Sequence, residues 1–237
     1  MASPTEELLL SAARNNAEWC AAVCRTGGFG PHAWSSAHRT PPLYPDAVTL
    51  TRDASAAALV AGIDTGSPGC SVKDSFAALD LAPAGFEVLF EAHWIHRPAG
   101  AAQTAPAARP AALRWARVTA AGELAAWEAA WDGEESTGLF HPGLLGEDFA
   151  FLAGHDAAGR IAAGAAANRT GRVVGISNVF TAAGTPADEA WTGALAALSG
   201  IWPGLDVVGY ESGDDLDTAV HHGFTPLGPL RVWLHSA

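Results

Sequence analysis

The 237-residue sequence predicts an α+β (α/β) fold in which helices flank a mixed, mostly antiparallel sheet. Three observations point to it. Hydrophobic residues make up 49% of the chain and charged residues 16%, a balance that suits a packed core and not a disordered chain. Segments with the 3.6-residue repeat of helices alternate with short β-branched and aromatic runs. Finally, three strands separated by tight-turn sequences lead into a helix and a further strand, which combines antiparallel pairing with a parallel crossover.

Residues 5–24 place Leu8, Ala12, Trp19 and Val23 at helical spacing and close at Gly27-Gly28, so a first helix is expected there. The Pro-rich stretch from Gly30 to Asp46 reads as an ordered loop, since Trp34, Leu43 and Tyr44 would be wasted on a mobile linker. A strand at "DAVTLT", a helix at "DASAAALVAGID" with Asp53 as N-cap and a strand at "SVKDSFA" follow. A short turn ending at Gly85 then gives way to the strong strand "FEVLFEAHWIHR", which ends at Arg97. Residues 98–112, "PAGAAQTAPAARPAA", are rich in Ala and Pro and carry no large apolar side chain, the composition of a linker. The expected division is 1–97, linker 98–112, and 113–237.

In the second half, "LRWARVT" reads as a strand and "AGELAAWEAAWDG" as a helix with Leu124, Trp127 and Trp131 on one stripe. Three strands span "FAFLAGHDAAGRIAAGAAANRTGRVVGISNVFT", broken at the turn sequences "GHDAAGR" and "NRTGR". A helix from Thr185 aligns Trp191, Leu195, Leu198 and Trp202 and stops at Pro203-Gly204. The strand "LDVVGYE", the short helix "GDDLDTAVHH" with Gly223 just beyond it, and a final strand or bent strand pair, "FTPLGPLRVWLHS", complete the chain. The strands on either side of the Thr185 helix should be parallel neighbours.

Net charge is −12, from 13 basic and 25 acidic residues, and no cluster of Lys or Arg could follow a phosphate backbone, so nucleic acid is not an expected partner. The acidic balance suits an amine ligand and solubility alike. No apolar run reaches the ~20 residues of a membrane span. The opening "MASPTEELLLSAARNN" lacks the pattern of a secretory signal, and a cytoplasmic protein without a membrane partner is expected. Three cysteines fit a reducing compartment; Cys20, Cys24 and Cys70 read as buried thiols, and no metal site is expected. His93 and His96, three apart in a strand, face opposite ways and cannot share an ion.

"GFEVLFEAHWIH" at Gly85 matches "GFTPLGPLRVWLH" at Gly223, each preceded by strand, helix, strand and a helical turn, the mark of a duplicated unit. Residues 113–237 resemble the GNAT superfamily of N-acetyltransferases in their strand order, in the strand-loop-helix from Asn178 to Trp202, and in the junction "AVHHGFTPLGPLRVW". Asp46 to Arg97 is similar to the second half of such a domain. The resemblance implies a full C-terminal GNAT-like domain and a second, partial GNAT-like unit. It also implies acetyl-CoA or another acyl-CoA as cofactor, held where the fourth strand splays from the fifth. The backbone of Val179, Phe180 and Thr181 would pair with the pantetheine arm, N–H groups at Gly184 and Thr185 would meet the pyrophosphate, and a small amine would attack the thioester.

The sequence departs from that pattern at two places. The family's pyrophosphate loop reads Arg/Gln-x-x-Gly-x-Gly/Ala, but Ala182 to Ala187 hold one glycine and neither Arg nor Gln. Instead Thr185 reads as an N-cap, Pro186 as N1 and Asp188 as an N3 carboxylate returning a bond to the cap, and Asp188 with Glu189 would repel a pyrophosphate. Ala219 stands where the family carries a tyrosine. Tyr210, at the end of the fifth strand, is the substitute acid, with core packing as its plain alternative. Glu211 is the first candidate base, ahead of Asp214 and Asp215, and its alternative is a surface carboxylate or helix cap. Asn178 would orient substrate or water, or serve as a core amide. The expected activity is an acyl-CoA-dependent N-acyltransferase acting on a small amine; the alternative is a non-catalytic GNAT-like ligand- or partner-binding protein that has lost CoA. CoA-independent chemistry on the same scaffold is a minor third. The oligomeric state stays open, a homodimer being one arrangement.

Overall fold

The computed structural model describes residues 3–101, 113–133 and 135–236, so residues 102–112 of the expected linker lie outside the described residues. The chain forms two compact units: unit 1 holds Met1–Trp94, Tyr210–Ser212 and Pro226–Ala237, and unit 2 holds Ile95–Gly209 and Gly213–Thr225. No described helix is long and apolar enough to cross a membrane.

Unit 1 opens with α1 (Pro4–Cys24), started by Ser3, whose Oγ accepts from the Glu6 N–H at 3.2 Å, and ended at Arg25 in the left-handed region. Then come β1 (Gly28–Phe29), β2 (Ala33–Ser35), β3 (Ala47–Thr49), α2 (Ala56–Ala61), β4 (Ser71–Asp74), a 3-10 turn at Ala82–Ala84 and the long β5 (Phe86–Arg97). The helix after Asp53 is capped by Ser55, not Asp53, because the Ser55 Oγ reaches the Ala58 N–H. The stretch expected as a loop from Gly30 contains β2. Its Trp34 and Tyr44 are buried as expected, but Leu43, at φ 71°, is 78% exposed.

Unit 2 contains β6 (Arg114–Arg117), α3 (Ala121–Asp132), β7 (Phe149–His155), β8 (Ile161–Thr170), β9 (Val173–Thr181), α4 (Ala187–Ile201), β10 (Asp206–Glu211) and α5 (Gly213–His221), with β10 running on into unit 1. β6 to β9 form an antiparallel meander, and β10 lies parallel to β9, as the crossover through α4 requires. Alternation along the strands makes two layers of core. Leu152, Ala165, Ala167, Val174 and Ile176 meet Trp191, Leu195 and Leu198 of α4. On the α3 side, Trp127 meets Phe140, Phe151 and Phe180 edge to face. The alanine run of β8 leaves room for these large rings.

The last strand, β11 (Thr225–His235), is one strand and belongs to unit 1 from Pro226 onward, antiparallel to β4 with Arg231↔Asp74 and Leu234↔Ser71 in register. The strand order of unit 1 is β1-β2-β3-β4-β11-β5. The sequence division at 98–112 assigned this strand to the second domain, since pairing between segments so distant in sequence leaves no local trace. The two stretches compared in the sequence share a local arrangement. β3-α2-β4 and β9-α4-β10 each join parallel strands through a helix, and β5 and β11 each follow a glycine in the left-handed region, Gly85 (φ 84°) and Gly223 (φ 86°).

Candidate functional site at the divergence of β9 and β10

β9 and β10 are in register only through Asp206↔Val173, Val207↔Val174 and Val208↔Gly175. β9 continues to Thr181 with β8 alone in register. In that stretch Ser177 pairs with Ala166 and Phe180 with Gly164, so Asn178 and Val179 together oppose Ala165 and form a β-bulge. Asn178 takes φ 50°, a conformation asparagine tolerates better than most residues. The bulge re-aims the side chains that follow. Val179 packs with the apolar cluster on the α4 side, and Phe180 turns to Trp127, ring centroids 5.3 Å apart. Gly164 leaves the space Phe180 occupies, for a Cβ there would lie 2.7 Å from Phe180 Cζ and 2.7 Å from Trp127 Nε1. What Val179 and Phe180 can offer a ligand is therefore main chain. One residue before the bulge, Ser177 Oγ is buried without a hydrogen-bond partner among the described residues.

The loop from β9 to α4 is closed by its own bonds. The Ala182 N–H donates to Ala162 O at 2.8 Å and the Thr185 N–H to Ala182 O at 3.0 Å, with Gly184 at φ 87°. Pro186 keeps extended backbone (φ −63°, ψ 141°), so the helix begins at Ala187 with Pro186, not Thr185, as N-cap and no side-chain capping bond. Asp188 does not return to the cap. Its Oδ1 lies 3.0 Å from Nε2 of the buried His222, which stacks 6.4 Å from Trp191. The His222 carbonyl in turn accepts from Arg97 Nε at 2.9 Å, so the end of α5 and the first turn of α4 are tied together. At the other end of the strand pair, Asp206 accepts from the Ala99 N–H at 2.8 Å and lies 2.9 Å from His96 Nε2. Burial pushes the Asp206 pKa up, but these bonds and the charge of Arg172 outweigh it and hold the carboxyl below its ordinary value.

No family model and no curated protein matches the chain. Solved structures do. A GCN5-related N-acetyltransferase from Kribbella flavida superposes with a TM-score of 0.67 at 16% identity, over 95% of this chain and 96% of that one. A putative GNAT-family acetyltransferase from Novosphingobium aromaticivorans gives 0.59 at 13% identity over 95% and 99%. A conserved protein of unknown function from Staphylococcus epidermidis gives 0.55 at 10% identity over 72% and 73%. The chain has the GNAT fold.

Within this GNAT fold, Asn178, Val179, Phe180, Thr181, Gly184 and Thr185 fall together in unit 2, whereas Tyr210 and Glu211, at the end of β10, are counted with unit 1. Tyr210 is half-buried: its ring meets Trp94 edge-on at 5.6 Å, and the Lys73 ammonium stands 4.1 Å from its centroid. Glu211 is half-buried as well. Ala219, where the sequence resemblance implies a tyrosine, is fully buried in the core beneath α4. Two cavities in unit 2 lie away from the β9 bulge. One, of about 310 Å³, is lined by Arg97, Ser199, Trp202 and Val207, and the other, of about 400 Å³, by Arg117, Glu123, His155 and Arg160. Cys20 and Cys70 are buried as expected, whereas Cys24 is only half-buried; burial raises the pKa of all three thiols, which favours the neutral form. Among the described residues no group of His, Cys, Asp or Glu is placed to hold a metal ion.

Sequence reasoning missed the bulge and the Asp188–His222 and Asp206–His96 pairs. The bulge left a signal, an asparagine in a strand opposite a Gly-Ala pair; the two pairs join residues 34 and 110 positions apart and left none.

Proposed function

We propose that the protein is an acyl-CoA-dependent N-acyltransferase acting on a small amine. The observation that carries this reading is the bulged end of β9, which leaves the register of β10 after Gly175 and has the orphaned Ser177 hydroxyl beside it. Main-chain groups of Val179 to Thr181 fit an amide-bearing arm laid along the strand. The first turn of α4 fits a pyrophosphate poorly, since the Thr185 N–H is spent in a turn and Asp188 and Glu189 place negative charge there. On this reading the phosphates lie off the helix end, nearer Gly184. The cofactor supplies the acyl group as a thioester. Glu211 takes the proton of the attacking amine, Tyr210 protonates the leaving thiolate, and Asn178 orients the amine or a water.

The same acids, with Ala219 in the tyrosine's place, favour a second reading, a non-catalytic GNAT-fold protein that binds a ligand or partner without CoA. Calorimetry and thermal unfolding with acetyl-CoA and CoA separate the two. Binding at 100 times the dissociation constant adds ~2.7 kcal/mol of stability, and the transferase reading expects that shift. No shift at millimolar CoA sinks it and leaves the second. If CoA binds, Glu211→Gln and Tyr210→Phe should each lower turnover by roughly 10²-fold or more; unchanged turnover in both refutes the assigned roles.

A further inference from the structure

Lys73 is the sole lysine of the sequence, every other basic residue being arginine, and it is 4% exposed in β4 of unit 1. A protonated lysine carries three donors and a full charge, and burying such a charge without an anion is unfavourable. Its ammonium donates to Asn16 Oδ1 at 2.8 Å and stands over the ring of Tyr210. Among the described residues no carboxylate lies within ion-pair distance of it. The carboxylate of Asp74, next in the strand, is taken up by the N–H groups of Leu79 and Phe76. Nor can the neighbouring acids of other kinds serve: burial raises the pKa of the Cys20 thiol even against the pull of Lys73, and burial likewise raises that of the Tyr44 phenol, so both are neutral. The amide of Asn16 turns its oxygen to Lys73 and to the Cys20 thiol, and no described residue accepts from its Nδ2. Asn16 and Tyr210 are half-buried, so the cation lies one side chain beneath the surface.

We propose that Lys73 and Asn16 form a binding site for a small monocarboxylate in unit 1, with one ligand oxygen on the ammonium and the other on the Asn16 amide N–H₂. One fixed cation matches one negative charge, and an ammonium beside an amide presents donors to both oxygens of a carboxylate. The inference is independent of CoA binding. A single lysine makes the test direct, because ¹⁵N-lysine labelling gives one side-chain ammonium signal. Titration with acetate and propionate should move that signal saturably, while chloride at equal ionic strength should not. Lys73→Met should weaken binding about tenfold or more, measured by calorimetry. Because the buried charge is unpaired without ligand, Lys73→Met should also keep or raise the Tm of the ligand-free protein while abolishing its rise with propionate. Equal shifts with chloride, unchanged binding in Lys73→Met, or a Tm lowered by several degrees in that variant would each overturn the proposal, the last by showing that Lys73 serves the fold alone.

Discussion

In β3-α2-β4 a helix of six residues joins parallel strands paired at two positions, and in β9-α4-β10 a helix of fifteen joins strands paired at three. The first segment is stitched shut. Asp46, fully buried, accepts from the Thr40 N–H and hydroxyl and from the Ser71 N–H, and it pairs with Arg39, which also donates to the carbonyls of Pro68 and Gly69. The second segment has no such clasp at its β9 bulge. There the register of the parallel strands stops, an asparagine adopts a left-handed conformation, and a serine hydroxyl lacks a partner. The same local arrangement of parallel strands joined by a helix is clasped in unit 1 and loses its register early in unit 2. The Asp46 network makes the difference, not the number of unpartnered groups, since Ser75 Oγ and the indole N–H groups of Trp34 and Trp233 in unit 1 also lack partners among the described residues.

The contrast can be broken by mutation. Asp46→Ala should have the largest effect, about 3 kcal/mol in urea unfolding, because it leaves Arg39 without its carboxylate in a partly buried setting. A loss below about 1 kcal/mol would mean the clasp does not hold unit 1. Gly164→Ala should come next, at about 1–3 kcal/mol, since the added methyl drives Phe180 and Trp127 apart. Near-UV circular dichroism should register the disturbed tryptophan. Asn178→Val should lower stability by about 1–2 kcal/mol, whereas Asn178→Gly should be close to neutral, because only the first is strained at positive φ. If the two variants unfold alike, the bulge is not set by that conformation.

Acid is the smallest lever, and it acts with opposite sign in the two units. The pKa of Asp206 lies below its ordinary 3.8 and that of Glu128 below its ordinary 4.5; burial opposes both shifts, and hydrogen bonds to Ala99 and His96 for Asp206, and to Thr137, Leu139 and Phe140 for Glu128, prevail. Their stabilisation of unit 2 is therefore complete above those ordinary values and is lost as pH falls through the lower folded ones. Burial raises the pKa of Asp74 above 3.8 in unit 1, so its ionisation takes stability away as pH rises from 3.8 to the folded value. Acidification from about pH 5 to about pH 3 should weaken hydrogen-exchange protection around Glu128 and Asp206 more than around Asp74. Glu128→Gln should remove part of that difference.

What could be read in advance follows the range of the forces involved. The meander, the parallel crossover through α4 and the turn glycines at Gly85 and Gly223 depend on local pattern, and each is legible in its own stretch. The N-cap at Ser55 lies two residues after the expected Asp53, because neighbouring polar residues compete for the same cap, and the one at Pro186 lies one residue after Thr185, whose N–H is held in a turn. The strands β1 and β2 were too short to announce themselves. At the candidate site the positions of Val179 to Thr185 were readable, but the turning of Phe180 toward Trp127 was not, since it depends on Gly164 across the sheet. Lys73 shows the same limit, since only the fold reveals that the lone lysine is buried without an anion.

The place of β11 carries a consequence for how the molecule is made. α1 and β1 to β4 leave the ribosome well before β11, the strand that covers the flank of β4 away from β3. The nascent first unit must wait, with one flank of β4 unsatisfied, while the meander of unit 2 has its strands in hand much earlier. A chain halted before Pro226 should thus leave the ribosome with its older half unfinished and its younger half nearly whole, and the exposed flank of β4 is where such a product would recruit a chaperone or aggregate.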